Sequence, residues 1–173
     1  MSLRILILFI TSLSMFMLVI AANPQSKHGD TTTRSKTQTG QHTRTRATAK
    51  IIVQSSEAKP YDQTTSPALT EIHIIEIFTG DIDGESTVRA LTLQRDDKSA
   101  SQVSMQRFSG KLAGRQGAFV LQGSEIVKDG KIKATWFVVP GSGTGDLSGL
   151  RGEGGFEGDF GKGSDGWLNY WFE

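Results

Sequence analysis

Few residues in this chain have the chemistry of a catalytic group. There are three histidines, and only His73 lies outside the polar segment near the N-terminus. It stands among isoleucines in a predicted strand, a setting more typical of a structural histidine than of a general base. A Gly-x-Ser-x-Gly nucleophile elbow and cysteine are both absent from the sequence. The sequence therefore favours a protein without catalysis, metal or cofactor.

Two motifs resemble known sites only in part. The run GDIDGE places Asp81, Asp83 and Glu85 at alternate positions, like the start of a calcium-binding loop, but the later Glu of such a loop is missing. A two-residue hairpin turn at Asp83-Gly84 explains the run. The glycine-rich stretch 140–155 lacks the Gly-Lys-Ser/Thr of a phosphate-binding loop. We interpret it as a structural loop whose key residues are Pro140, Gly141, Gly143, Gly145 and Gly152.

Short β-strands separated by turn signals run from about residue 47 to the C-terminus. No apolar period of 3.6 residues persists for three turns, and Asp129-Gly130 marks a second hairpin turn. Eight consecutive strands with short connections predict an all-β fold, an eight-stranded antiparallel meander closed into a barrel. A two-sheet β-sandwich is the alternative.

A barrel of this size has a lumen that is filled by side chains or holds one small ligand. On strand six the predicted inward residues are Ile132, Ala134, Trp136 and Val138. On strand two both alternating sets carry charge, so the pattern leaves open whether His73 or Glu76 faces inward. An inward carboxyl would have a raised pKa, because burial disfavours its charged form. The candidate ligand-binding residues are His73, Glu76, Trp136 and Arg107.

The first 22 residues have the layout of a secretory signal peptide. Arg4 precedes an apolar run over residues 5–20, and the small residues Ala21 and Ala22 follow. We predict cleavage there and a secreted or periplasmic protein without stable membrane insertion. The alternative is a membrane anchor that is not cleaved. Residues 23–46 are predicted to be a disordered basic Thr/Ser-rich linker, and residues 47–173 the barrel domain.

Charge and apolar patterning indicate the partners. Residues 23–50 hold six basic residues and one acidic residue, whereas residues 51–173 hold twelve basic and seventeen acidic residues. The acidic domain is a poor candidate for binding nucleic acid. Strands six and eight are apolar on both faces, which predicts a homo-oligomer with Trp167 or Trp171 near the contact.

Three longer motifs resemble a known family. The segments FTGDIDGES, RFSGKLAGRQGAFVLQ and VVPGSGTGDLSGLRGEGGFE are similar, in order and spacing, to the bacterial family catalogued as domain of unknown function 3224. The resemblance covers roughly residues 47–173 and implies a barrel like that of allene oxide cyclase, with no established activity. Gln106 stands where the family pattern often has an acidic residue, and Gly123-Ser124-Glu125 replaces a His-Ser-Gly-like step.

Three hypotheses for function follow. The first is a barrel without catalysis that binds a small hydrophobic molecule in its lumen. The second is a cyclase or isomerase acting on a small apolar substrate, and the third is a structural envelope protein with a packed lumen. We favour the first, because nucleophile motifs are absent and aromatic residues are available to line a cavity.

Overall fold

The computed structural model describes residues 43–96 and 98–173. It contains one short 3-10 helix, Gly145–Leu147, and eight strands. The strands are β1 (Thr45–Asp62), β2 (Leu69–Gly80), β3 (Ile82–Asp96), β4 (Ser99–Leu112), β5 (Arg115–Lys128), β6 (Lys131–Val138), β7 (Leu150–Asp159) and β8 (Gly163–Phe172). The predicted signal peptide and most of the predicted linker lie outside the described residues. Within the described part, no helix is long and apolar enough to span a membrane.

Each strand pairs antiparallel with the next, and β1 also pairs with β8. The closing ladder runs from Thr45 opposite Tyr170 to Ile51 opposite Ser164. Closure therefore leaves both terminal strands paired, and β1 continues beyond this ladder with β2 as its partner. The predicted eight-stranded antiparallel barrel is therefore confirmed, and the two-sheet alternative is wrong.

The two predicted hairpin turns have different outcomes. Asp129 and Gly130 form the β5–β6 turn with φ of 52° and 73°, as predicted. The turn predicted at Asp83-Gly84 is wrong, because the chain reverses between β2 and β3 at Gly80 and Asp81. Gly84 instead lies inside β3, where a Cβ atom would stand 2.3 Å from the Ser109 carbonyl oxygen. Close approach between strands, and not a turn, accounts for this glycine.

Aromatic and aliphatic side chains fill one end of the barrel, the end that carries the β6–β7 loop. Phe108 is fully buried, with ring centroids 5.5 Å from Phe78 and 4.9 Å from Phe119. Leu147 of the loop and Leu150 at the start of β7 are also fully buried in this cluster. This end of the lumen is therefore a packed hydrophobic core.

The β6–β7 loop also replaces a missing strand partner. β5 is longer than β6, so the first half of β5 pairs with β4 on one side but has no strand partner on the side of β6. The loop side chains of Ser142 and Thr144 accept hydrogen bonds from the amides of Val120 (3.0 Å) and Ala118 (3.1 Å). The alternate spacing of these loop residues matches the alternate amides of the strand. The glycine-rich stretch thus has a structural role, since it covers an edge that would otherwise be exposed.

Candidate functional site

In the half of the barrel away from this loop, strand β4 has its polarity inverted. On β4, Gln102 and Gln106 point inward and are almost fully buried, whereas Val103 and Met105 face outward, 57% and 48% exposed. Burying amides while exposing aliphatic side chains is unfavourable for stability. An inversion of this kind is therefore expected where an interior has a use other than packing.

The half of the lumen away from the β6–β7 loop contains a cavity of about 190 Å³, which we call the cup. The turn between β7 and β8 lies at its rim. Its walls combine apolar side chains with a small polar cluster. The apolar lining includes Ile51, Ile72, Ile74, Val88, Ile132 and Phe156, and the polar lining includes Glu76, Gln102, Ser104, Gln106 and Glu125. Apolar walls with a few convergent polar groups are typical of small-molecule sites.

Glu76 is one of the two inner carboxyl groups of the cup, and a third carboxyl group, that of Asp159, lies at the rim. Its Oε2 accepts a hydrogen bond from Gln106 Nε2 at 2.6 Å and a longer one from Ser86 Oγ at 3.3 Å. Burial raises the pKa of Glu76 from 4.5 to about 7, although these two hydrogen bonds lower it, and the charge of Glu125 raises it further. Near neutral pH this carboxyl group is therefore divided between its acid and base forms.

Glu125 on β5 supplies the second carboxyl group. It is 5% exposed, and its Oε1 accepts a hydrogen bond from Ser104 Oγ at 2.5 Å. Its Oε2 is buried and has no hydrogen-bond partner among the described residues. Burial raises the pKa of this carboxyl group too, partly offset by the hydrogen bond from Ser104.

Trp136 lies inward, as the alternation on β6 predicts. It belongs to the packed core and does not line the cup. It is 5% exposed and packs against Phe156, with ring centroids 5.3 Å apart. Its Nε1 donates a hydrogen bond to the Trp167 carbonyl oxygen at 3.1 Å. Trp136 thus supports Phe156, which forms part of the apolar wall.

His73 and Arg107 do not reach the lumen. His73 lies on the outer face of β2, where its Nε2 is 2.8 Å from Glu71 Oε1 and 2.8 Å from an Arg89 nitrogen. Arg107 is exposed on β4 because its neighbours Gln106 and Phe108 both point inward. Of the four candidate residues, the structure brings only Glu76 and Trp136 into the interior.

The comparisons with known proteins agree with this architecture. The family model described as "Protein of unknown function (DUF3224)" matches residues 47–173. The chain belongs to this family. Its fold is similar to the 1.84 Å crystal structure of a DUF3224 family protein of unknown function from Shewanella oneidensis MR-1, with a TM-score of 0.64 and 29% identity. That match covers 76% of this chain and 99% of the other. No curated protein matches the chain.

Sequence analysis of this DUF3224 chain missed most of the cup. The polar lining residues that were not proposed are Gln102, Ser104, Gln106 and Glu125, together with Ser86, which donates a hydrogen bond to Glu76. Two of them were nevertheless marked, since Gln106 and Glu125 fall where the sequence departs from the family pattern. Each departure thus contributes one residue, Gln106 or Glu125, to the lining of the cup.

A second concave surface lies on the outside of the DUF3224 barrel. This outer groove, of about 1040 Å³, is lined by apolar and polar side chains from β2 to β8. Its exposed apolar residues are Leu91, Val103, Met105 and Phe137. It also carries Glu71, Arg89 and Glu153, so that charges of both signs stand beside the apolar surface.

The outward tryptophans of β8 are partly covered by the chain itself. The Arg46 guanidinium lies 5.4 Å from the centre of the Trp167 ring, and that of Arg44 lies 4.6 Å from the Trp171 ring. Arg44 also forms an ion pair with Glu153. These cation–π contacts partly cover the apolar outer face of β8 with residues of the same chain.

Among the described residues, no group of three or more His, Asp or Glu side chains is placed to hold a metal ion. The acidic residues of GDIDGE do not converge either, since Asp81 accepts hydrogen bonds from the amide and hydroxyl of Thr48.

Proposed function

We propose that this barrel binds a small amphiphilic molecule in the cup, without catalysis. The observation that carries the proposal is a cluster of buried carboxyl and amide groups facing an open cavity with apolar walls. A buried carboxyl group lowers stability unless it is paired, so such a cluster is most readily explained by a ligand. A purely structural barrel would pack this half of the lumen as it packs the other half.

A second candidate function is proton transfer to and from a bound substrate, as in an isomerase. The specific observation in its favour is the Glu76 pKa of about 7, which suits a general acid or base at neutral pH. If this function holds, the molecule recovered with the protein takes up deuterium when incubated with it in D2O. Uptake by the wild type that Glu76→Gln abolishes would support it, and no uptake would count against it.

Two further proposals concern location and assembly. The layout of residues 1–22 supports export with cleavage near Asn23. The outer groove supports a homo-oligomer, because a patch that combines apolar surface with both signs of charge can match a second copy of itself. In this assembly Trp167, at the margin of the groove, lies near the contact.

Native mass spectrometry of the protein purified from its own organism tests these proposals together. We expect a subunit whose mass corresponds to a chain that begins near Asn23, and a multimer of this subunit. We also expect the mass of a small bound molecule, which is lost under harsher activation. A subunit that retains Met1 would contradict cleavage, and a monomer at high micromolar concentration would contradict assembly. A protein without any bound mass would count against the cup as a ligand site.

A further inference from the structure

The unpartnered oxygen of Glu125 is the first indication of the ligand's chemistry. The residue is 5% exposed and lines the cup, and its Oε2 meets no donor among the described residues. A buried acceptor without a donor is costly, and more so when it is charged. A ligand that donates a hydrogen bond at this oxygen would satisfy it.

The charge of the cup is the second indication. Glu76, Glu125 and Asp159 all contribute to its lining, and none of the described Lys, Arg or His side chains does so. Asp159 at the rim forms an ion pair with Lys131, whereas the two inner carboxyl groups have no cationic partner among the described residues. In their ionised form these two groups would repel a carboxylate or phosphate ligand and attract a cation, and a bound cation would in turn favour that form.

The remaining lining favours an organic cation over a metal ion. Metal ions of the hard type need several oxygen ligands, whereas much of this wall is aliphatic or aromatic. A cavity of roughly 150 Å³ in another protein accepts benzene, so a cup of about 190 Å³ has room for one ring with a short substituent.

We propose that the cup binds a primary amine in its ammonium form, carried on a small ring or short hydrocarbon chain. The ammonium group donates to Oε2 of Glu125 and to the Glu76 carboxylate, and the hydrocarbon contacts Ile74, Ile132 and Phe156. This inference rests on the proposed function, since it specifies the ligand class of the same site. Charge-assisted hydrogen bonds of this kind are about twice as strong as neutral ones.

A matched series of probes tests the inference by isothermal titration calorimetry at pH 8. Benzylamine, benzyl alcohol and toluene have similar shapes and differ in the group that replaces the ammonium. We expect benzylamine to bind at least about tenfold more tightly than the other two. Glu125→Gln, and independently Glu76→Gln, should remove most of that advantage. Glu153→Gln, which changes a carboxyl group of the outer groove, should leave it unchanged.

The outcomes distinguish failure of the ammonium inference from failure of the cup as a ligand site. Equal affinity for the amine and the alcohol would overturn the ammonium inference while leaving the cup as a ligand site. Loss of amine binding in Glu153→Gln with retention in Glu125→Gln would also overturn it, by moving the site to the outer groove. Failure of all three probes would overturn the inference and count against the proposed function as well.

Discussion

Replacing Glu76 with Gln is expected to raise the free energy of unfolding at pH 8 by roughly 3 kcal/mol, the scale of a shift of this size. At pH 4 it should change little. Gln keeps an oxygen that can accept the hydrogen bond from Gln106 Nε2, and it removes the buried charge. Urea denaturation of both proteins, freed of any ligand by unfolding and refolding, measures the difference.

The direction of this change in stability follows from the raised pKa of Glu76. Folding raises the pKa of Glu76 from 4.5 to about 7, so the folded state holds a proton that the unfolded state has released between these values. The free energy of unfolding of the wild type therefore falls as pH rises from about 4.5 to about 7 and levels off above that. Glu125, whose pKa burial also raises, adds to the same trend.

The control is Glu85→Gln, at an exposed position on the same barrel. It should alter stability little at either pH. A loss of stability in Glu76→Gln at pH 8 would mean that the native protein stabilises the Glu76 carboxylate, and the description of the cup would then be wrong.

Gly143→Ala should destabilise the barrel by roughly 3 kcal/mol or more, at the upper end of the usual cost of overpacking. A Cβ atom at this position would stand 2.0 Å from the Leu147 carbonyl oxygen. Relief of that clash requires backbone movement in the loop that seals the packed end and hydrogen-bonds to β5. Thermal unfolding followed by circular dichroism measures the loss.

The matched control lies in the same loop. Gly141 has φ of 74° and open space around the position of a Cβ atom, so Gly141→Ala should cost only about 1–2 kcal/mol, the cost of the left-handed conformation. Similar stability in Gly143→Ala and the wild type would contradict the structural role of the loop. If that variant also lost a bound ligand, the loop would belong to the functional site.

The fold could be predicted from sequence because local signals agreed with one another. The Asp129-Gly130 turn and the alternation on β6, with Trp136 inward, both describe the structure. The prediction of a turn at Asp83-Gly84 was wrong because a glycine in a turn and a glycine at a close approach between strands look alike in sequence. At Gly84 the cause is the approach of Ser109 from the neighbouring strand, which local spacing does not reveal.

The site was harder to predict because neighbouring strands decide which face turns inward. His73 and Glu76 stand on opposite faces of β2, and each face carries charge. Glu76 turns inward where Ser86 and Gln106 can donate to it, whereas His73 meets Glu71 and Arg89 outside. These partners come from β3 and β4 or lie nearby on β2, and the pairing register brings them together.

The pattern of β4 likewise explains why the polar residues of the cup were not predicted from the sequence. The usual assumption turns Val103 and Met105 inward, because apolar side chains are normally buried. The structure exposes both and buries Gln102 and Gln106. Sequence reasoning fails most often where a protein departs from the rules of stability, and such departures are expected at functional sites.

Methyl NMR of isoleucine-labelled protein tests the central claim, that the cup is a ligand site, most directly. The protein is titrated with a set of small amphiphilic fragments that includes benzylamine. We predict that binding fragments shift the methyl resonances of Ile74 and Ile132, which line the cup, and leave that of the outward-facing Ile126 unchanged. Fragments that leave both cup methyls unshifted at millimolar concentration, or that shift only outward-facing methyls such as Ile126, would contradict the account.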